Sequence, residues 1–454
     1  MFSVRGSEML VLENFKYRKA HTSKEGVTRW RCSVSSCTAK VYTCGGDTNI
    51  INTNKIHNHE VSKTLDRHVI SNICKRKAVC DFLEKPSKII RRAIENTSSA
   101  NVTVTDVSCI RKSFYRARRT VYPTLPKTID AVHIALDKLS PTTSENENFL
   151  LVNDKTENLV VLSCSTNLKF LCSLEKLYMD GTFEYCTRYF CQMFSIHGME
   201  NGHYIPLAFC LLRDKRKTTY VNCLRSIVGE CAKLQLNLVP KFVVIDFEEA
   251  IHSAVSEVWE NAQIQGCRFH LTQAWWRKIQ NIGLSSEYRS GNSEIGKWLT
   301  HVFGLPFLNP EEVGDCFAFD LANEQPADNR ITEFADYIIE NYISEDSRFP
   351  PHLWAEASET LQRTTNACEA FHSQFNKHFY HSHPSVFDFL NVLLSFQTDS
   401  YIKMRSVKLP SKIRNRYVRD KQKFVKEQLI NYKNGNITRI EFVKRMSYRF
   451  KKSL

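Results

Sequence analysis

The chain has 454 residues, a formal net charge of +14 at pH 7, and 42% apolar residues. That length suits roughly two to four folded units with sizeable cores. The longest clean apolar run, IPLAFCLL, is too short for a helical membrane span. The opening stretch MFSVRGSEMLVLENF has no apolar signal-peptide core, and the 16 cysteines follow no framework spacing, so reduced thiols in an intracellular protein are expected.

Charge is unevenly spread. Residues 1–127 hold 24 basic and 10 acidic side chains, residues 128–400 hold 21 and 35, and residues 401–454 hold 17 and 3. Basic ends suit a polyanion such as double-stranded DNA, although a solvated basic face reads the same way. An acidic centre suits a site that gathers cations.

Residues 1–65 are rich in aromatics and Thr, with short alternating runs such as TRWRCSV and AKVYTC, which favours a small β module. Cys32 and Cys37 enclose four residues, and HNH follows with His57 and His59. Two thiolates and two imidazoles make the tetrahedral set that zinc prefers, and so small a segment gains from the ion what its own core lacks. Phe15, Tyr17, Trp30, Cys32, Cys37, His57 and His59 stand in the order that names the FLYWCH zinc finger, and residues 8–60 resemble that module. The resemblance implies a small β-rich DNA-binding fold of the kind that often precedes transposase domains.

Residues 66–127 look helical and basic, in ICKRKAVCDFL, KIIRRAIEN and DVSCIRKSFYRARRTVY. Thr105 and Asp106 offer N-caps for the last of these. It sets Arg111, Lys112, Arg116, Arg118 and Arg119 on about three turns with Phe114 and Tyr115 between them. Such a stripe points to phosphate contact rather than base reading.

Residues 128–284 carry strand patterns. PTTSENENF reads as a linker or exposed turn, and YFCQMFSIHG and YIPLAFCLLRD flank an Asn201-Gly202 hairpin signal. A helix, the strand Phe242–Ile245 and a second helix follow, giving a mixed α/β sheet. Residues 285–360 read as mainly helical, 361–400 as a helix bearing Glu369 that closes the core, and 401–454 as a basic tail.

Three acids stand out. Asp180 interrupts the apolar run LYMDGTF, where a buried carboxylate is costly unless paired. Asp246 closes KFVVID, where ligands gather in parallel sheets, although an ordinary helix cap fits too. Glu369 shares a helix face with Asn366, Ser373 and Asn376, opposite the stripe Phe371, Phe375 and Phe379, although a lone glutamate is most often a solvated one. Carboxylates fixed on rigid elements are what two-metal phosphodiester chemistry needs.

DGTF, DFEEA, CRFH and TNACEAFH, in that order, resemble the MULE-type (Mutator-like) transposase domain over roughly residues 170–380. The resemblance implies an RNase H-like fold, a DDE triad at Asp180, Asp246 and Glu369 holding Mg²⁺ or Mn²⁺, and a helical insertion at 285–360. Cys267 and His270 then read as a core cysteine and a histidine near the active site, with half a zinc site as the alternative. Trp275 and Trp276 read as packing. The tail either contacts DNA or holds a nuclear import signal, and the Cys-x-Cys and Cys-x-His pairs of a zinc knuckle are absent from it. The expected activity is cut-and-paste transposition in the nucleus, by a homo-oligomer on paired terminal inverted repeats. A transposase-derived DNA-binding regulator is the alternative, and a cellular nuclease of RNase H type a third.

Overall fold

Alternation in the first segment becomes a five-stranded antiparallel meander. Its strands are β1 (Met9–Leu12), β2 (Phe15–Thr22), β3 (Val27–Cys32), β4 (Lys40–Cys44) and β5 (Asn49–Asn54), paired in chain order. The computed structural model describes residues 8–44, 49–61, 65–80, 84, 86–97, 102–121, 124–290, 293–358, 366–379, 381–409 and 416–450. At 80, 366–369 and 417–418 it describes the backbone alone. It divides into two compact units, Met1–Leu125 and Pro126–Leu454.

In the first unit, Tyr17, Trp30, Cys32, Ala39 and Val41 form the core of the meander, and the Trp30 indole N–H donates to Thr43 Oγ1 at 2.9 Å. Three helices follow: α1 (Leu65–Cys80), α2 (Pro86–Asn96) and α3 (Val104–Val121). Ile70, Cys74, Ile89, Ile90, Ile110 and Phe114 close their shared core. α3 starts one turn earlier than Thr105 and Asp106 suggest. Thr103 is the cap: its Oγ1 accepts from the Asp106 N–H at 3.2 Å, and the Asp106 carboxylate accepts from the Thr103 N–H at 3.1 Å.

The second unit begins with α4 (Ile129–Leu139), β6 (Leu150–Asp154), β7 (Leu159–Leu162) and α5 (Ser165–Cys172). Next come β8 (Lys176–Thr182), β9 (Gln192–Glu200), β10 (His203–Leu212), α6 (Lys217–Lys233), β11 (Phe242–Ile245), α7 (Glu249–Val258), β12 (Gln263–Gly266) and α8 (Arg268–Asn281). The seven strands run in the order β12-β11-β8-β9-β10-β7-β6. β11 is parallel to both neighbours, and the remaining pairs are antiparallel. Asn201 and Gly202 turn the β9–β10 hairpin with φ of 45° and 78°, the left-handed conformation that Asn-Gly supplies. Residues 141–149 form a tight turn rather than a linker, pinned where Glu147 accepts from the Thr166 N–H at 3.0 Å and from Tyr401 Oη at 2.5 Å.

Beyond α8 lie α9 (Ser285–Ser290), α10 (Glu294–Val302), α11 (Pro310–Asp315) and α12 (Asn329–Ile338). Then come α13 (Asn366–Asn376), α14 (Val386–Ser406), α15 (Arg416–Lys433) and α16 (Arg439–Phe450). One core, built on Trp275, Trp298, Phe334 and Trp354, also contains Leu429, Phe442, Val443 and Met446. The residues expected to form a basic tail therefore include two helices folded onto the helical segment. Their apolar side chains recur at helical spacing beneath the charged ones. Gly304 permits this: a Cβ there would lie 2.2 Å from the Val443 carbonyl oxygen. Among the described residues, no helix is long and apolar enough to cross a membrane.

Candidate metal centre and acidic cleft

In the first unit, Cys32 ends β3, Cys37 sits in the turn after it, and His57 and His59 follow β5. Cys32 Sγ lies 3.2 Å from His59 Nε2, Cys37 Sγ 3.3 Å from His57 Nδ1, and those two nitrogens 3.3 Å apart. All four ligand atoms fall within 4.8 Å of one another. Atoms so spaced surround a common centre at the roughly 2.0–2.3 Å bond lengths of tetrahedral zinc. The outer nitrogens are engaged as well. With Nδ1 facing the centre, His57 Nε2–H donates to Tyr17 Oη at 2.8 Å, and His59 Nδ1–H donates to the Glu60 carbonyl at 2.8 Å. Such partners fix tautomer and ring orientation. Phe15 stacks on His57 with centroids 3.6 Å apart. The donor set and its support fit a structural zinc ion.

In the second unit, β8 carries Asp180, which is 6% exposed. The parallel register pairs Tyr178 of β8 with Val244 of β11, and two residues further along each chain stand Asp180 and Asp246. Asp180 Oδ1 accepts from the Gly181 N–H at 2.8 Å, and Oδ2 lies 3.1 Å from His372 Nδ1 on α13. His372 Nε2 is 3.1 Å from Ser195 Oγ, which is 2.7 Å from His197 Nε2. His197 is enclosed, and burial, with His372 and Lys403 adding, holds its pKa well below the usual histidine value. Asp180 thus heads a chain of polar contacts running into the sheet.

The Asp246 carboxyl is pushed up to about 7 by burial, with the charges of Asp180 and Glu248 adding and Lys215 opposing. Glu248 is itself held. Tyr220 Oη donates to it at 3.1 Å, the Gln192 amide donates to Tyr220 at 2.8 Å, and Lys215 Nζ is 3.2 Å away. Lys215 also lies 3.8 Å over the ring of Phe183. Phe183 does not extend the apolar run of β8: the strand ends at Thr182, and the ring is largely exposed. A Cβ at Gly181 would lie 2.6 Å from Gln192 Oε1, so a larger residue there would displace that side chain.

A cleft of about 680 Å³ opens beside Asp180, lined also by Glu184, His270, Gln273, Ser373 and Asn376. Asp246 is not among its lining residues. α13 presents Ser373 and Asn376 to the cleft while Phe371 and Phe375 are buried. Glu369 lies on this helix one turn before Ser373, and its side chain falls outside the described residues. Cys267 and His270 part company. Cys267 is buried with Tyr178 and Val244, whereas His270 reaches the cleft. Among the described residues, neither belongs to a group of three or more metal-type ligands. Trp275 and Trp276 are core residues.

On α3, Arg111, Lys112, Arg116 and Arg119 are exposed. Arg118 is half-buried: its Nη2 donates to the Glu84 carbonyl at 3.1 Å, and its guanidinium lies 4.7 Å over Phe114.

Sequence reasoning passed over His372, Ser195, His197, Glu248 and Lys215. His372 follows Glu369 by three residues, one helical turn, and Ser195 and His197 are two apart on one strand, hence on one face. Those spacings were signals.

No curated protein matches the chain. The family model described as FLYWCH zinc finger domain matches residues 1–59, the segment that holds the Cys₂His₂ cluster. The model described as MULE transposase domain matches residues 176–274, from β8 into α8, a span that contains Asp180, Asp246, Cys267 and His270. Two segments of the chain are thus similar to a MULE transposase domain and an N-terminal FLYWCH zinc finger, the two families that its motifs resemble, and Glu369 lies beyond the matched residues.

Proposed function

We propose that the protein is a metal-dependent DNA transposase of cut-and-paste type with an RNase H-like catalytic domain. The observation that carries this is the pairing of Asp180 and Asp246, two residues past the last matched positions of neighbouring parallel strands. A sheet in which three antiparallel strands, β10-β9-β8, continue into the parallel pair β11-β12 supports the RNase H-like reading.

Asp180 and Asp246, joined by Glu369 from α13, would hold Mg²⁺ or Mn²⁺. The donor chemistry fits: burial and the neighbouring carboxylate charges that raise the pKa of Asp246 make a ready site for a hard cation. When bound, the ions supply charge stabilisation and activation of water or a 3′-hydroxyl at phosphorus. The protein's own contribution is positional. His372 and the Gly181 N–H orient the two oxygens of Asp180, and Tyr220 with Lys215 holds Glu248 beside Asp246. Ser373, Asn376 and His270 line the cleft where a DNA strand would lie. The zinc finger and the basic helices would bind terminal inverted repeats, with homo-oligomers pairing the ends in the nucleus.

Strand cleavage and joining on duplexes taken from the protein's genomic flanks test this reading. Wild type with Mg²⁺ or Mn²⁺ is expected to cut, and Asp180→Ala and Asp246→Ala to be silent. Zinc-dependent binding without cleavage by wild type would instead make the protein a transposase-derived regulator.

A further inference from the structure

We propose that the cleft between α1 and α3 is a phosphate site that seats one backbone phosphate of bound DNA. The proposal rests on the DNA-binding reading above but concerns different residues from the exposed stripe of α3. The cleft, of about 150 Å³, is lined by Arg67, His68, Ser71, Asn72 and Lys75 on α1 and by Ser113 among others on α3. His68, Ser71, Asn72 and Lys75 recur at helical spacing, so one face of α1 is polar and basic where it looks across at α3.

The charge arrangement calls for an anion. Lys16, on β2 and only 6% exposed, donates from Nζ to His68 Nδ1 at 2.9 Å. The His68 ring therefore carries its hydrogen on Nε2, a donor like the neighbouring hydroxyl and amide groups. Burial depresses the His68 pKa to about 4, and the charges that add to this, Lys16, Arg67 and Lys75, are all positive. The ring is neutral at pH 7 inside a cluster of cations. Asp106 offsets Arg67 at 3.2 Å, but that carboxylate is also committed to the Thr103 cap. Converging cations and neutral donors around a partly enclosed space make a site for a tetrahedral oxyanion.

DNA is the favoured source because Ser113 leads directly to the exposed basic surface. Lys112 precedes it and Arg116 follows one turn later, both exposed. A strand with one phosphate in the cleft can continue along these residues, whereas free phosphate gains nothing from them.

The test uses the full zinc-loaded chain and measures duplex affinity by fluorescence anisotropy between about 50 and 200 mM salt. Lys75→Gln is expected to weaken binding about threefold to tenfold and to flatten the log affinity–log salt slope by about 0.9, the value of one lost phosphate contact. Ser113→Asp places a carboxylate among the cations. It is expected to weaken DNA binding at least as much while raising Tm, so misfolding cannot mimic it. Wild-type affinity and slope in both variants would overturn the proposal. So would ³¹P line broadening of inorganic phosphate that Lys75→Gln abolishes while DNA affinity stays intact, which would assign the cleft to free phosphate. Failure of wild type itself to bind any duplex would sink the DNA reading, and this seat with it, and is told apart because the unmodified chain then fails.

Discussion

His372 on α13 reaches Asp180 on β8, with Nδ1 3.1 Å from Oδ2. The contact ties the helix that bears Glu369 to the strand that bears the first acid, and Ser195 and His197 back it from within the sheet. Groups that orient a metal-binding carboxylate typically matter about 10–100-fold. His372→Ala is therefore expected to lower Mn²⁺ affinity, read by electron paramagnetic resonance without turnover, by that order, with His372→Gln intermediate. Tighter Mn²⁺ binding by the alanine variant would mean that the imidazole competes with the ion.

Asp246 carries the strain of the site. Burial and the charges of Asp180 and Glu248 raise its pKa to about 7, so at pH 8 the metal-free protein holds an ionised carboxylate that its surroundings disfavour. Asp246→Asn removes that charge at nearly constant volume. Calorimetry in the presence of a chelator should find the variant's Tm at pH 8 above that of wild type, while its cleavage is lost. A lower Tm would show that the carboxylate makes a stabilising contact that outweighs its repulsion.

Tyr17 and Phe15 act on the zinc centre through His57, one by a 2.8 Å hydrogen bond and the other by stacking. Tyr17→Phe keeps the buried ring and deletes the hydroxyl. Zinc affinity, measured by competition with a chromophoric chelator, should fall about 10-fold. Complete zinc removal should abolish the β signal of the finger, because its core is only a handful of side chains. Unchanged affinity in the variant would leave Tyr17 a packing residue.

Much of this was legible because local pattern and tertiary role agree. Cys-x₄-Cys with His-x-His lies on two neighbouring turns, so spacing alone marks the ligands. Asp180 was visible as a charge in an apolar strand, and Asn201-Gly202 as a turn. What escaped depends on contacts distant in sequence. His372 meets Asp180 only because α13 packs on the sheet, 192 positions further along the chain. Arg118 looks like its neighbours on α3, yet its rotation about the helix places it over Phe114. In residues 401–454, lysines and arginines outnumber the apolar groups that anchor the helices, and net charge hides Phe442, Val443 and Met446.

Glu147 offers a pH test away from the zinc centre and the acidic cleft. Burial raises its pKa, but donors from Ser165, Tyr401 and the Thr166 N–H outweigh that and bring it down to about 2. A folded-state pKa below the unfolded one stabilises the protein above the unfolded value, about 4.3, and that stability drains away as pH falls toward 2. After allowance for partial exposure, the contribution is about 1–2 kcal/mol. Urea unfolding should find Glu147→Gln less stable than wild type at pH 6, with the gap closing toward pH 3. A pH-independent gap would assign the effect to lost packing.

The docked C-terminal helices give the sharpest contrast with a solvated tail. Phe442 is 1% exposed on α16 and stacks on Tyr432 of α15 with centroids 4.9 Å apart. Truncating a buried phenylalanine costs about 3–5 kcal/mol, whereas surface changes stay within about 0.5 kcal/mol. Phe442→Ala should therefore lower the unfolding free energy of the second unit by several kcal/mol. Lys426→Ala, on the polar side of α15, serves as the comparison and should leave it nearly unchanged. Because the same core contains Trp275 and Trp298, tryptophan fluorescence follows the transition directly. Equal, small effects from the two substitutions would return residues 416–450 to the status of a solvated basic tail, and the folded extension of the core would be wrong.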